Sequence, residues 1–431
     1  MKNVPENMLV IPRKTGMNVD VHAFFTPSEK PDDALIEHLR NISRISGILR
    51  VIALPNFSPE NNFVSGIAIG AEKVIIPGII GGGINAGIRL LSVPVKTNEI
   101  RIQQLESAIG KVVHAGEHGE GIRFHEGDIR LILELGISAL SDVAARSPAI
   151  GAVRIANDEE ADMKKTQDSG SLVASSASIS HRAIEPVLNK IGVLESGEHS
   201  VDFLSVEGVF NNKIAAELGI SKNQLLVSFS SGSQAIGHQV AEEYMRIARE
   251  MGGENAPERI LCHLNAYLPE GEAYLDAYSC VSNFAYVNRQ IITAIIRHEL
   301  RKILGNIAMP LLLDIPYNIL GNEKHGQKQL WVHRRGVAKT LPPDDKGRHG
   351  SIILISGHRG GASYILTAGN KSNIALNSIN INVGYSQAAG KHVAQSQKAL
   401  PHRNIDDVVR MLVDSGLADI VARLKSIASS I

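Results

Sequence analysis

The sequence predicts a mixed α+β (α/β) fold, organised as one large domain over residues 1–431 with central sheets and flanking helices. Three observations predict it. Helix-like and strand-like runs alternate along the whole chain, no long polar linker divides them, and 44% hydrophobic with 20% charged residues matches an ordinary globular protein. Lysines plus arginines equal aspartates plus glutamates, 44 each, so net charge gives no sign of a nucleic-acid or membrane partner.

The elements follow in order. Pro31–Ser43 places Asp at an N-cap and keeps apolar residues at helical spacing. "LRVIAL" (49–54), "FVSGIAIG" (63–70), "NQLLVSF" (223–229), "QLWVH" (329–333) and "SIILIS" (351–356) are short β-rich runs. From Glu272 to Leu304 one helix is expected, with Leu275, Tyr278, Val281, Phe284, Ala285, Ile292, Ile295 and Ile296 forming its core-facing stripe. "NIDDVVRMLVDSGLADIVARLKSI" (404–427) reads as two short helices broken at Gly416. Residues 156–178, the most polar stretch, read as a loop, either mobile at the surface or inserted beside a site.

The N-terminus shows no apolar core after its charges, so no signal peptide is expected. No apolar run reaches the roughly 18 residues of a transmembrane helix. Cys262 and Cys280 form no CxxC pair and read as buried small residues. A cytoplasmic protein with no membrane partner is the expectation.

Two Gly/Ser loops follow strands. In "SFSSGSQAIGHQVAEEYM" (228–245) a strand runs through Ser230-Ser231-Gly232-Ser233 into an amphipathic helix, and backbone N–H groups at a helix start favour an anion. His238, inside that helix, reads as structural. In "ISGHRGGASYIL" (355–366) Arg359 is placed to pair with a phosphate. Neither has a P-loop ending, and a tight turn explains each equally well. The basic run "VHRRGVAKT" (332–340) reads as a solvated edge or, with Lys346, Arg348, His358 and Arg359, as a phosphate-facing patch. Of the 16 histidines, His114 and His118 stand four apart among Glu117 and Glu120, a candidate metal pair on a helix, although the surrounding glycines argue against a helix there. His199 follows Glu198 in a Gly-flanked turn. No Ser-His-Asp arrangement can be read from spacing.

Taken together, the chain resembles the RtcB-type tRNA-splicing ligases. "PGIIGGGINAGIRLL" is similar to that family's glycine-rich metal loop, "ISHRAIEPVLNKIGVLESGEHS" to its segment ending Gly-Ser-Gly-Asn-His, and "SSGSQAIGHQV" to its His-Ser-Gly-Ser-Arg-Gly-Leu-Gly-His-Gln loop. "PEGEAYLDAYSCVSNFAYVNRQ" is similar to its long central helix, "DIPYNI" to Asp-Val-Ser-His-Asn-Ile, "WVHRRGVAKTLPP" to His-Arg-Lys-Gly-Ala-Thr, and "SGHRGGASYIL" to Pro-Gly-Ser-Met-Gly-Thr-Ala-Ser-Tyr. "LADIVARLKSI" resembles the C-terminal segment. The resemblance implies an RtcB-like domain with a central cleft. It implies ligation of an RNA 3′-phosphate or 2′,3′-cyclic phosphate to a 5′-hydroxyl RNA, with GTP, two manganese ions and a guanylylated histidine.

Residue by residue, the resemblance also implies a loss. The Asp ligand position is Gly83, the Cys is Ala86, the second His is Ser230 and the third His is Tyr317. Only His199 is kept as a metal ligand, with Asp314 and Asn318 beside the Tyr317 position. Glycine and alanine side chains offer no lone pair, and Ser and Tyr are poor replacements for imidazole. At the guanylylated-histidine position, within "ININVGYSQAAGKH", stands Asn382, whose amide forms no phosphoramidate. Glu198 replaces an Asn beside the nucleotide, His358 replaces a Ser, and the guanine-contacting Gly-Val-x-Lys-Gly ending gives way to "SIASSI".

The leading expectation is a degenerate ligase. Its scaffold would still offer Arg89, His199, Ser231, Ser233, His333, Arg334, Arg335 and Arg359 to an RNA end, phosphate or nucleotide, or would regulate a functional ligase through a protein partner. The nucleotide-side candidates are Glu198, His199, Asn318, His333, Arg335, His358 and Arg359, and neither manganese nor GTP is expected as a firm cofactor. The alternative is an RNA ligase or phosphoester-processing enzyme with rewired chemistry on His114, His118, Glu198, His199, Asp314, Tyr317 and His358. A purely structural subunit is a further reading.

Overall fold

Every strand-like run named above forms a strand. The computed structural model describes residues 8–25, 33–60, 63–117, 122–146, 159–194, 199–252, 259–358, 361–384 and 402–430. Its strands are β1 (Met8–Ile11), β2 (Val21–Phe24), β3 (Ile48–Glu60), β4 (Phe63–Ala71), β5 (Val74–Ile75), β6 (Ala86–Lys96), β7 (Val201–Val209) and β8 (Gln224–Ser231), then β9 (Leu264–Asn265), β10 (Leu311–His325), β11 (Lys328–Lys339), β12 (Ile352–Ser356), β13 (Ala362–Ala368), β14 (Ser378–Asn380) and β15 (Ala418–Ser429). The helices that matter below are α1 (Asp33–Ser43), α2 (Ile102–Glu117), α3 (Gln234–Gly252), α4 (Pro269–Leu304) and α5 (Ile405–Asp414). The class is mixed α+β. Two compact units form: Met1–Ile80 with Tyr244–Gly271 and Tyr317–Val421, and Gly81–Glu243 with Glu272–Pro316 and Ala422–Ile431.

In the first unit, β3 pairs parallel with β2 and antiparallel with β4, which pairs antiparallel with β11. The β10–β11 hairpin closes between His325 and Lys328 through Gly326, whose φ of 64° is the left-handed conformation a two-residue turn needs. β14 adds to β11 at Val337–Lys339, and β12 pairs with β13. The core forms where the alternating apolar positions of β3 and β4 meet one side of α1, through Val51, Ala53, Ile67, Ile69, Leu35, Leu39 and Ile42.

In the second unit, β8 pairs antiparallel with both β6 and β7, and β7 pairs with Ala422–Ser429 of β15. The core joins Leu91 and Val93 of β6, Leu225, Val227 and Phe229 of β8, Leu105, Ala108 and Val112 of α2, and Ile292, Ile296 and Leu300 of α4. The 36-residue α4 contains the whole of the helix expected from 272 to 304. Residues 159–178 carry a short helix, Glu159–Met163, and two 3-10 turns, with Asp162 buried beneath them.

Three expectations are corrected. Residues 417–427 form most of β15, not a second helix: α5 ends at Asp414, Gly416 turns the chain with φ 69°, and β7 supplies a pairing edge. A short amphipathic run fits either period, and the available edge decides. The helix α2 runs through Gly110 to Glu117 despite its glycines, because Leu105, Ala108 and Val112 bury one face of it. The basic run 332–340 is no solvated edge. It lies inside β11, with His333 and Arg334 fully buried.

Candidate functional site

The glycine-rich loop ahead of β6 is shaped by close backbone approach. A β-carbon on Gly82 would lie 2.3 Å from Nδ1 of His238 on α3, and one on Gly237 would lie 2.2 Å from the Gly82 carbonyl oxygen. Ser233 Oγ donates to that same carbonyl at 3.2 Å. The loop is also clamped to α4: Asn85 Nδ2 donates to the Ser282 carbonyl, and Arg289 Nη1 donates to the Asn85 carbonyl at 2.7 Å. His238 is therefore a packing residue, as its place in a helix suggested.

This clamp brings together several residues singled out by the sequence. Gly83 and Ala86 sit on one turn, Ala86 N–H donating to the Gly83 carbonyl. His199, just ahead of β7, places Nδ1 3.3 Å from Ser230 Oγ. A β-carbon on Gly232 would lie 3.2 Å from Ala86 Cβ and 3.8 Å from His199 Nε2, so Ala86, His199, Ser230 and Gly232 share one spot at the end of the β6–β8 pair. Burial and the charge of Arg289 push the His199 imidazole down to about 4.

Beside that spot lies a buried ion network. Asp314 accepts from Arg89 Nε at 2.8 Å and from Arg289 Nε at 2.9 Å, with all three side chains fully buried. Arg89 further donates to Gln290 Oε1, Thr293 Oγ1 and Thr166 Oγ1. Burial holds the Arg89 guanidinium below its usual range, against the pull of Asp314. Arg289 stacks 5.1 Å over the Tyr286 ring, and its buried Nη2 has no hydrogen-bond acceptor among the described residues. Asp162 forms a second pair with Arg297, at 2.5 and 2.8 Å, and accepts from Gln290 Nε2. Arg289, Asp162, Thr166, Gln290 and Arg297 were not among the sequence candidates. The signal for Arg289 and Gln290 was "NRQ", Asn288 to Gln290, three polar residues in succession within a helix whose stripe is apolar, and Asp162, Thr166 and Arg297 carried no such local signal.

The first unit holds the remaining described candidates. His333 Nε2 accepts from the Ile76 N–H at 3.0 Å, and burial pushes the imidazole down to about 4, against the carbonyls of Ile69 and Trp331. Arg334 is bidentate with Glu323, at 2.5 and 2.9 Å, and donates to Ser378 Oγ and the Leu376 carbonyl. Arg335 Nη1 donates to the Gly78 and Ile79 carbonyls. A bulge in β10 between Tyr317 and Ile319 puts Asn318 at φ 54°, where its Oδ1 accepts from the Gly336 N–H. Tyr317 is partly buried opposite Ala338. Asn382 is exposed, its Oδ1 accepting from Asn56 Nδ2 and the Gly384 N–H. His358 is exposed, its ring 6.2 Å from that of His402. Lys346 and Arg348 lie on an exposed turn organised by Asp344. Glu198, Arg359 and His118 lie outside the described residues, as does the side chain of His114 on α2.

The manganese ions that the resemblance implies do not fit the donors present. Gly83 and Ala86 supply none, and both oxygens of Asp314 are held by guanidiniums. Among the described residues no three His, Cys, Asp or Glu side chains come close enough to share a metal ion. Also among them, no helix is long and apolar enough to cross a membrane.

The comparisons with known proteins agree with the fold. The family model described as tRNA-splicing ligase RtcB matches residues 38–384. The chain is 27% identical to the tRNA-splicing ligase RtcB of Nanoarchaeum equitans, over 99% of this chain and 98% of that protein. It is 31% identical to the tRNA-splicing ligase RtcB of Pyrobaculum aerophilum, over 78% of this chain and 72% of that protein. It is 27% identical to the RNA-splicing ligase RtcB of Mycobacterium bovis, over 89% of this chain and 97% of that protein. A match that runs through the glycine-rich loop, both central strands and the long helix shows that the chain belongs to the RtcB family.

Proposed function

We propose that this protein is a degenerate RtcB-family ligase of the cytoplasm, one that binds phosphate-bearing RNA ends or nucleotides but does not carry out metal- and GTP-dependent joining. The reading is carried by Gly83, Ala86, Ser230 and Tyr317, which stand where the family resemblance places metal-binding side chains, with His199 alone matching such a position. Asn382 at the nucleophile position points the same way, since its amide is engaged with Asn56 and Gly384 and has no nucleophilic nitrogen lone pair. The relatives named as RNA- or tRNA-splicing ligases make RNA termini the natural ligand class. Its role would then be to hold RNA ends or to modulate a functional ligase.

The test is covalent. Purified full-length protein mixed with GTP and manganese chloride is expected to keep its unmodified intact mass. A stoichiometric GMP adduct would sink the proposal.

A further inference from the structure

In the first unit, the sheet face turned away from α1 holds a cavity beside the β10–β11 turn. Strand register sets its walls. Val51 and Ala53 of β3 pack toward α1, so Arg50 points to the opposite face. Arg50 pairs with Gly70 of β4, and Gly70 pairs with Val332 of β11. Two-residue steps along β11 bring Leu330 and Lys328 to that same face, where Lys328 pairs with His325 of β10. A β-carbon on Gly70 would lie 3.1 Å from Leu330 Cδ1, so the missing side chain leaves room for Leu330 to lie over β4. The register shifts between Ile48 and Arg50, and this bulge lets Leu49 reach the cavity beside its neighbour. The cavity measures about 470 Å³ and is lined by Leu49, Arg50, His325, Lys328, Leu330 and Asn373, with Gly326 at the turn.

Its charge is positive and largely uncompensated. Half-buried Arg50 donates from Nη1 to the Asn373 carbonyl at 3.3 Å and from Nη2 to the Ile374 carbonyl at 2.6 Å. Both acceptors are neutral, and three of its five N–H donors remain. No carboxylate pairs with it among the described residues, and burial holds the guanidinium below its usual range. Lys328 is exposed and meets Glu72 at 3.7 Å, a weak surface pair that a ligand can displace. His325 shares Glu323 with Arg334 and Lys339, so one carboxylate answers three basic groups. Among the described residues, no aspartate or glutamate lines the cavity. Leu49 and buried Leu330 give it an apolar wall.

We infer that this cavity is an accessory site for a phosphate ester of nucleotide size, with Arg50 and Lys328 supplying charge to the phosphate and Leu49 and Leu330 receiving the base. Its volume suits a small organic ligand. Guanidinium and ammonium groups that lack carboxylate partners favour phosphate oxygens. The cavity is remote from the Tyr317 position: His325 stands eight residues further along β10, roughly 25 Å of extended strand. The inference goes beyond the proposed function and does not rest on it, since a protein that joined RNA would keep this cavity.

The experiment is isothermal titration calorimetry of full-length protein with AMP, adenosine and inorganic phosphate. AMP is expected to bind saturably, one to one. Adenosine should bind at least about tenfold more weakly, and inorganic phosphate should compete with AMP. Arg50→Gln and Lys328→Glu should each weaken AMP about tenfold, the usual effect of losing one hydrogen bond to a charged group. His199→Gln should leave AMP affinity unchanged. Lys328 is exposed, so Lys328→Glu carries the test if Arg50→Gln fails to fold. A short RNA with a 3′-phosphate then identifies the source: displacement of bound AMP assigns the site to an RNA end, and its persistence to a free nucleotide, both in support. No saturable AMP binding, equal affinity for adenosine, unaltered affinity in the folded Arg50 and Lys328 variants, or loss of AMP binding in His199→Gln would each overturn the inference. A GMP adduct would instead overturn the proposed function, so the two failures can be told apart.

Discussion

Replacing Asp314 by alanine is expected to unfold the second unit or leave it close to unfolding. Asp314 is the shared partner of Arg89 and Arg289, and the side chains of all three are fully buried. Removing one partner of a buried pair costs about 3–5 kcal/mol, because the remaining charge keeps its desolvation penalty and loses its compensation. Here two charges are stranded by one substitution, against a total stability of about 5–15 kcal/mol for a typical domain. Arg89 would keep its bonds to Gln290, Thr293 and Thr166, and Arg289 its bond to the Asn85 carbonyl, so the loss is large but bounded. Asp314→Asn retains an acceptor and should cost less. Urea unfolding followed by tryptophan-independent far-UV signal gives the comparison. An Asp314→Ala midpoint equal to that of the wild type would show that this network does not hold the unit.

Mild acid is the second large expected effect. His333 is held near 4 in the folded chain and returns to about 6.5 when unfolded. A lowered histidine is bound by more protons in the unfolded state through this window. Its contribution is therefore full above about pH 6.5 and is lost as pH falls toward 4, amounting to about 3 kcal/mol. His199 acts with the same sign over the same window, and His22, lowered by burial and by Arg50, adds to both. Glu159 opposes them. It is raised to about 7 by burial and by Asp162, so its contribution is full below its unfolded value of 4.5 and lost as pH rises through 7. It is only partly buried, so solvent screening discounts that offset. Glu323, held well below the usual carboxylate range by Arg334, His325 and Lys339, stays ionised throughout. The net expectation is that the urea-unfolding free energy falls by at least about 3 kcal/mol between pH 7 and pH 4.5. His333→Gln keeps an acceptor for the Ile76 N–H and removes the titration, so its profile should be flatter. A wild-type stability that is level or rising over that interval would contradict the assignment.

Much of the fold was legible because it rests on local pattern. The alternation in "FVSGIAIG" and the 3–4 spacing from Leu275 to Ile296 declare a strand and a helix without help from distant residues. Residues 417–427 fit a helix when taken alone, and they form a strand because its pairing edge is β7, more than 200 positions earlier in the chain. The site was legible only in part, for the same reason. The residues Gly83, Ala86, Ser230 and Tyr317, which the family resemblance aligns with metal-ligand positions, can be read one at a time from the sequence. The charge network cannot be read that way: Arg89, Asp162, Arg289 and Asp314 are far apart in sequence and meet only when β6, β10 and α4 pack together. Likewise, 332–340 looks like a basic surface when read as a string of charges. Its burial follows from β4 and β14 on one side and β10 on the other, with Glu323 neutralising Arg334.

The chain has the RtcB fold, and the proposed function is that its joining chemistry is gone. The most direct measurement mixes full-length protein with one RNA ending in a 3′-phosphate and another beginning with a 5′-hydroxyl, in GTP and manganese, and resolves the products by length. The two RNAs are expected to remain separate at protein concentrations equal to the RNA, and a joined product that depends on GTP and manganese would contradict the loss of joining chemistry.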